Sequence, residues 1–136
     1  MRKRIPGLPS ILCLTSFLFG FAPDLRARAE PFYKGKTIRI VVGSTAGGFY
    51  DRWARLLSRH MVKHIPGQPE MIVQIMAGAG SVIAANHAYK VAKPDGLTLG
   101  MPLNGIYVDQ FVGRAEAQYD LRKFHFIGSP AVESSI

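Results

Sequence analysis

The architecture of this chain follows from residues 37–48, TIRIVVGSTAGG. The first six residues are mostly β-branched and apolar, which is typical of a buried strand. A glycine-rich turn comes directly after them. From residue 49 onward, apolar side chains recur at helical spacing, at Trp53, Leu56, Leu57 and Met61. The segment is therefore predicted to form a strand, a loop and a helix that ends near residues 66–67.

The same unit is predicted a second time downstream. Residues 71–76 are predicted to form a strand, residues 77–81 a second turn of small residues, and residues 82–92 an alanine-rich helix. A third strand is predicted at residues 97–101. This alternation of strand and helix predicts an α/β fold with a parallel sheet, in which the loops that follow the strands share one edge.

The remainder of the chain adds fewer elements. We predict a helix over residues 106–113, a turn at residues 119–124 and the start of a further strand at residues 125–128. Three strands with an incomplete fourth make a thin sheet, and a chain of this size buries a smaller fraction of its surface than a larger protein does. We therefore expect the chain to be a fragment of a larger protein.

Residues 1–29 have the features of a secretory signal peptide. A basic start at residues 2–4 precedes a mostly apolar segment at residues 11–21, and Ala27 and Ala29 have the spacing that a signal peptidase accepts. The apolar run is shorter than the roughly 18 residues of a lasting membrane span. We expect cleavage after Ala29 and export to the periplasm.

The charge of the chain favours a small anionic partner. The sequence has 17 basic and 9 acidic residues; the predicted signal peptide removes five and one of these, so the mature part keeps 12 and 8, a net charge of +4. A nucleic-acid-binding protein usually has a more concentrated basic face, so no nucleic-acid partner is expected. The only cysteine, Cys13, lies in the signal peptide, which excludes an internal disulfide and a cysteine-based zinc site.

Two glycine-rich loops that open helices are candidate anion sites, because such loops point unpaired N–H groups and a helix dipole at one place. The spacing from Gly43 to Gly48 matches a phosphate-binding loop, but Phe49 and Tyr50 stand where that motif needs Lys and Ser or Thr. The second loop also lacks the acidic partner of a dinucleotide site. A carboxylate is the better-fitting ligand, held by backbone donors at Gly47, Gly48, Gly78, Ala79 and Gly80.

Several short motifs in order resemble the periplasmic solute receptors of tripartite tricarboxylate transporters, the Bug or TctC-like family. They are Ala46-Gly47-Gly48 with Asp51, then Gly78-Ala79-Gly80, Pro94-Asp95-Gly96 and Tyr119-Asp120 with Phe124. The resemblance implies a two-lobed protein of type II periplasmic-binding-protein fold that closes over a carboxylate and delivers it to a membrane permease. It also implies that residues 30–136 are an incomplete first lobe, with the second lobe missing. With the nearby polar residues, the predicted ligand-binding set is Ser44, Thr45, Ala46, Gly47, Gly48, Phe49, Tyr50, Asp51, Gly78, Ala79, Gly80, Ser81 and Asn104.

The chain departs from the family pattern at several positions in and beside these loops, among them residues 49 and 50, which are bulkier than is usual there. Gly43 replaces a proline, Ile75 an asparagine, and Ser81 the last glycine of the second loop. Asp51 has two possible roles, contact with the ligand or a favourable charge at the start of the helix. Tyr50 is expected either to cover the ligand or to pack between helix and sheet.

Catalysis, cofactors and metals are not expected. No nucleophile motif is present, and nothing in the sequence pairs Asp51, Asp95, Asp109 and Asp120, which lie in distinct segments. His60 and His64 are four residues apart on the predicted helix, but no carboxylate completes a metal site there. Two alternatives to a solute receptor remain open. One is a nucleotide-binding α/β domain, and the other is a truncated remnant that binds nothing and exposes a sheet edge.

Overall fold

The structure, a computed structural model, describes residues 29–130. Its helices and strands alternate as predicted, which confirms the α/β class. The predicted signal peptide lies outside the described residues except for Ala29. The elements in chain order are β1 (Thr37–Val42), α1 (Phe49–His60), β2 (Glu70–Ile75), α2 (Val82–Asn86), β3 (Thr98–Met101) and α3 (Ile106–Phe111).

The three strands form one parallel sheet in the order β2-β1-β3. Strand β1 is central, and four of its six residues are buried. In the register of the sheet, Val42 at the end of β1 pairs with Ile75 at the end of β2 and with Met101 at the end of β3. The three strands therefore end level with one another, and their loops leave from the same edge, as predicted.

Helices cover both faces of the sheet. Ile40 and Val42 face α1 and form a core with Ala54. On the other side, Gly100 lies so close to α2 and its extension that a Cβ there would be 3.4 Å from Cβ of Ala88. A second core joins α2 and α3 to the segment that follows them, through Val82, Ala85, Ile106 and Tyr119. Alternation of side chains along β1 places Ile40 and Val42 on the same face, toward α1.

Two predicted helices are shorter than expected. Helix α1 ends at His60 and continues as a 3₁₀ turn, Met61–His64. Helix α2 ends at Asn86, and a π-helical turn, His87–Val91, takes its place. This wider turn begins at Asn86, whose side chain donates to the carbonyl of Glu116 and accepts from the N–H of Gln118.

The predicted strand at residues 125–128 is wrong. These residues are exposed and pair with no strand in the described part of the chain, so they lack the ladder of hydrogen bonds that defines a strand. The turn before them is present as a 3₁₀ segment, Leu121–Lys123, capped by the Asp120 side chain. Within residues 29–130, no helix has the length and apolar character needed to cross a membrane.

Candidate anion-binding site

The carboxyl edge of the sheet brings the three strand-end loops together. The hydrogen-bond ladder continues one residue past the strands: the N–H of Gly43 donates to the carbonyl of Met101 at 3.1 Å, and that of Met76 to Val42 at 2.8 Å. The loops then diverge over residues 44–48, 77–81 and 102–105. Because both neighbouring strands are tied to β1 up to their last residues, the starting points of the three loops are fixed relative to one another.

Asp51 holds the first loop in shape. It lies in the first turn of α1, is only 2% exposed, and its Oδ2 accepts a 2.6 Å hydrogen bond from the N–H of Gly47. Arg55 Nε is 2.8 Å from Oδ1, an ion-pair distance, although the pair lacks hydrogen-bond geometry. The Gly47 N–H and then Arg55 lower the pKa of Asp51, while burial acts in the opposite direction. The position of Asp51 in the first turn of α1 agrees with the role of a favourable charge at the helix start, and its bond to the Gly47 N–H is a further role that the sequence did not predict.

The prediction that Gly47 and Gly48 supply free N–H donors is wrong. The Gly47 N–H is bonded to Asp51, and the Gly48 N–H donates to the carbonyl of Thr45 at 3.2 Å. The unpaired donors lie on either side of these glycines. The amides of residues 44–46 and 49–51 have no acceptor among the described residues. The last three are the first amides of α1, where the positive end of the helix dipole adds to their attraction for an anion.

The second loop has an unusual backbone. Four consecutive residues have positive φ: Gly78 (140°), Ala79 (48°), Gly80 (66°) and Ser81 (82°). Alanine and serine rarely adopt this conformation, so the loop is strained in a way that its surroundings must hold. The amides of residues 78–80 donate to no acceptor in the part of the chain that the structure describes. Successive amides in such a turn can form a concave anion-binding surface.

The third loop meets the first through a side-chain contact. The hydroxyl of Tyr50 donates to Oδ1 of Asn104 at 3.2 Å. The Tyr50 ring also packs against the core between α1 and the sheet. Of the two roles considered for Tyr50, packing between helix and sheet is the one that the structure shows. Asn104 is exposed at the edge, with its amide nitrogen available for other contacts.

Exposure divides the predicted ligand-binding residues. Asp51 and Ser81 are buried, and Ser81 Oγ accepts a hydrogen bond from the N–H of Leu103 at 3.0 Å. The prediction that the Ser81 side chain contacts the ligand is therefore corrected, since that side chain lies behind the loops. Four others are half-buried: Ser44, Gly48, Tyr50 and Gly78. The remainder are exposed: Thr45, Ala46, Gly47, Phe49, Ala79, Gly80 and Asn104.

Sequence reasoning missed an acidic group beside the second loop. Oδ2 of Asp109, on α3, would be 4.0 Å from a Cβ at Gly80. Arg114 Nη1 lies 3.2 Å from the other Asp109 oxygen and also pairs with Glu116 through Nε. The five-residue separation of Asp109 and Arg114 was the only sequence signal for this pair. Arg114 offsets the negative charge that Asp109 brings to this side of the edge.

The described residues at this edge offer no cluster of metal ligands. Among residues 29–130, no three His, Cys, Asp or Glu side chains are grouped closely enough to hold a metal ion. His60 and His64 are both exposed, and His64 lies beyond the end of α1. The chemistry that the described residues offer at the edge is thus hydrogen bonding from backbone amides, with Tyr50 and Asn104 nearby.

The fold and this edge define a small α/β domain with a three-stranded parallel sheet, consistent with part of one lobe of a periplasmic binding protein. The chain is similar to a UPF0065 protein in the gbd 5′ region of Cupriavidus necator, with 36% identity over 106 residues, 78% of this chain and 31% of that protein. It is also similar to a UPF0065 protein of Bordetella bronchiseptica, with 36% identity over 126 residues, 89% of this chain and 36% of that protein. The chain thus spans about a third of the length of these relatives. No protein-family model and no solved structure matches it.

Proposed function

We propose that this chain is the amino-terminal part of an extracytoplasmic solute receptor of the Bug or TctC-like family, to which the UPF0065 proteins belong. The receptor binds a carboxylate-bearing small molecule and delivers it to the membrane permease of a tripartite tricarboxylate-type transporter. It acts in the periplasm, after export directed by residues 1–29. It is a binding protein and catalyses no reaction.

One observation supports this proposal above the others. Six amides, in residues 44–46 and 49–51, have no acceptor among the described residues and surround the start of α1, at the edge where the three strands end together. A carboxylate has two oxygens, and each can accept more than one hydrogen bond from such donors. Because the sheet fixes where the loop begins and Asp51 fixes its shape, the donors are oriented before a ligand arrives. This lowers the entropy lost on binding.

The charges at the edge favour the first loop as the main contact. At the second loop the free amides of residues 78–80 lie near Asp109. Arg114 pairs with Asp109 but is shared with Glu116, so this group keeps a net negative charge that opposes an anion there. At the first loop the nearest carboxylate is that of Asp51, and it is already bonded to Gly47 and paired with Arg55. We therefore propose that the ligand carboxylate binds the first loop and the start of α1, and that the second loop contacts a more distant part of the same ligand.

A charge placed in the first loop tests this arrangement. Gly47 and Gly35 are both exposed, both have positive φ (77° and 69°), and a Cβ at either would meet no atom within 4 Å. Gly47 lies at the binding edge, whereas Gly35 precedes β1 at the opposite edge. Gly47→Asp should weaken carboxylate binding by about threefold to a hundredfold, the range for two charges about 6 Å apart with an effective dielectric constant between 80 and 20. Gly35→Asp is the matched control.

The measurement is calorimetric titration of the full-length chain and both variants with acetate, succinate and citrate. We expect the parent chain and Gly35→Asp to bind at least one of these anions with similar affinity, and Gly47→Asp to bind it more weakly. Equal affinities of the two variants would contradict the assignment to the first loop. Heat on titration with ATP or NAD, but with none of the carboxylates, would favour the nucleotide-binding alternative. No heat with any compound from a folded chain would contradict both.

A further inference from the structure

The hydroxyl of Ser81 lies where the three strand-end loops meet. Ser81 belongs to the second loop and is fully buried. Its Oγ accepts the hydrogen bond from the Leu103 N–H, at 3.0 Å, in the third loop. A Cβ built at Gly43, directly after β1, would lie 1.6 Å from the same oxygen. A single buried atom therefore contacts the segments that leave both of the other strands.

Glycine is required at position 43 by this contact and not by its backbone conformation. The φ of Gly43 lies outside the positive range that disfavours other residues. The atoms nearest to a Cβ there would be Ser81 Oγ at 1.6 Å, Ser81 Cβ at 2.8 Å and Ala84 Cβ at 3.2 Å. The first two distances are far inside van der Waals contact, and both belong to one side chain. Ser81 thus occupies the space that a side chain at position 43 would need.

Ser81 keeps this position despite an unfavourable backbone. Its φ of 82° is one that glycine adopts readily and serine does not. A glycine at position 81 would relieve that strain but would leave the Leu103 N–H without its acceptor. The adjoining residue, Asn104, accepts the hydrogen bond from Tyr50. The Ser81 hydroxyl therefore restrains the loop that reaches across to α1.

We infer that Ser81 is a positioning residue for the carboxylate site, and that Gly43 and Ser81 depend on each other. The Ser81 hydroxyl sets the distance between the third loop, with Asn104, and the first loop, with its free amides. That these loops bind a carboxylate rests on the proposed function, whereas the mutual dependence of Gly43 and Ser81 rests on the geometry alone. It assigns Ser81 a role in place of the ligand contact that the sequence suggested.

The hydrogen bond is tested by amide hydrogen exchange in the full-length chain. Ser81→Ala keeps the Cβ and its backbone strain and removes only the acceptor of the Leu103 N–H. Exchange at Leu103 should become about five- to tenfold faster, the factor that corresponds to the net contribution of one hydrogen bond. Ser44→Ala is the matched control, because Ser44 Oγ is also buried but has no hydrogen-bond partner among the described residues. It should leave exchange at Leu103 unchanged.

The mutual dependence is tested by a double-mutant cycle on thermal unfolding. Gly43→Ala should lower the melting temperature strongly, because its methyl group overlaps Ser81 Oγ. Combining it with Ser81→Gly removes both overlapping atoms and leaves only Ala84 Cβ at 3.2 Å, so the double variant should melt above Gly43→Ala alone. A general weakening of the fold would give additive losses, with the double variant melting lowest.

Succinate titration of the same variants connects the pair to function. Ser81→Ala should bind succinate, or whichever carboxylate the parent chain binds, more weakly than the parent chain does. Additive melting temperatures, unchanged exchange at Leu103, or equal affinities of Ser81→Ala and the parent chain would each overturn the inference. If instead the parent chain binds no carboxylate while the melting cycle shows coupling, the proposed function fails and the dependence between Gly43 and Ser81 stands.

Discussion

Replacing Tyr119 by phenylalanine should destabilise the domain through one buried hydrogen bond. The Tyr119 hydroxyl donates to the carbonyl of Ile106 at 2.8 Å, and the residue is 5% exposed. The ring packs with Val82 and Ala85. Tyr119→Phe keeps this packing and removes only the hydroxyl, so the loss should be about 1–2 kcal/mol. For a domain of this size that corresponds to a fall in melting temperature of roughly 4–16 °C.

The pH dependence of the same variant gives a second measurement. Burial first, and then the charge of Asp109, raises the pKa of Tyr119 above its ordinary value of 10.0, with Arg114 acting in the opposite direction. The folded state thus disfavours the ionised form. The contribution of Tyr119 is complete below pH 10 and is lost as the pH rises through the raised value. Unfolding followed by circular dichroism should therefore show the difference between parent and Tyr119→Phe shrinking above pH 10.

Tyr107 provides the control for this experiment. It lies on α3, next to the residue that accepts the Tyr119 hydrogen bond, but its side chain is half exposed and its hydroxyl has no hydrogen-bond partner in the described part of the chain. Tyr107→Phe should leave the free energy of unfolding within about 0.5 kcal/mol of the parent, the usual range for a surface substitution. The reasoning is refuted if both tyrosine variants lose the same stability, or if the Tyr119→Phe difference persists unchanged at alkaline pH.

Two more predictions concern the ends of β1. Gly67→Ala should lower the free energy of unfolding by about 1–3 kcal/mol more than Gly35→Ala, measured by thermal melting, because a Cβ at Gly67 would lie 2.5 Å from the backbone nitrogen of Lys34. A Cβ at Gly35 would meet no atom within 4 Å, and both glycines have positive φ, so both variants add backbone strain. Equal losses of stability would contradict the steric argument. Asp51→Asn should make the stability of the chain depend less steeply on pH in acid. The Gly47 N–H and Arg55 hold the pKa of folded Asp51 below 3.8, so the stabilisation by its carboxylate is present above pH 3.8 and is lost as the pH falls through the lowered pKa. Curves of stability against pH with identical shape for parent and variant would contradict this prediction.

Much of the fold could be predicted because its signals are local. The β-branched run at Thr37–Val42 and the helical spacing after Phe49 both depend on neighbouring residues, and the structure has the strand and the helix start at these positions. The helix predicted over residues 82–92 was too long because its end depends on distant contacts. Asn86 bonds to Glu116 and Gln118, some 30 residues away, and no local pattern shows such a contact.

The site was predicted less well than the fold, for a related reason. Sequence placed the two glycine loops at one edge, which the sheet register confirms. Which amides lack an acceptor depends on the conformation of each nearby side chain, and the Asp51 carboxylate accepts the hydrogen bond from the Gly47 N–H. The fit between Gly43 and Ser81 was also hidden, since 38 residues separate them and each departure from the family pattern looked independent in the sequence.

The position of Asp51 raises the question of how a buried carboxylate can support an anion site. An unpaired negative charge beside the free amides would repel a ligand carboxylate by a few kcal/mol at about 5 Å and an effective dielectric constant of 20. The structure counters this charge in two ways: Gly47 donates its N–H to one oxygen, and Arg55 pairs with the other. In exchange, the bond to Gly47 fixes the turn between residues 44–46 and the start of α1. The first loop thus gives up one donor, the Gly47 N–H, and the six amides on either side of the glycines are held in place.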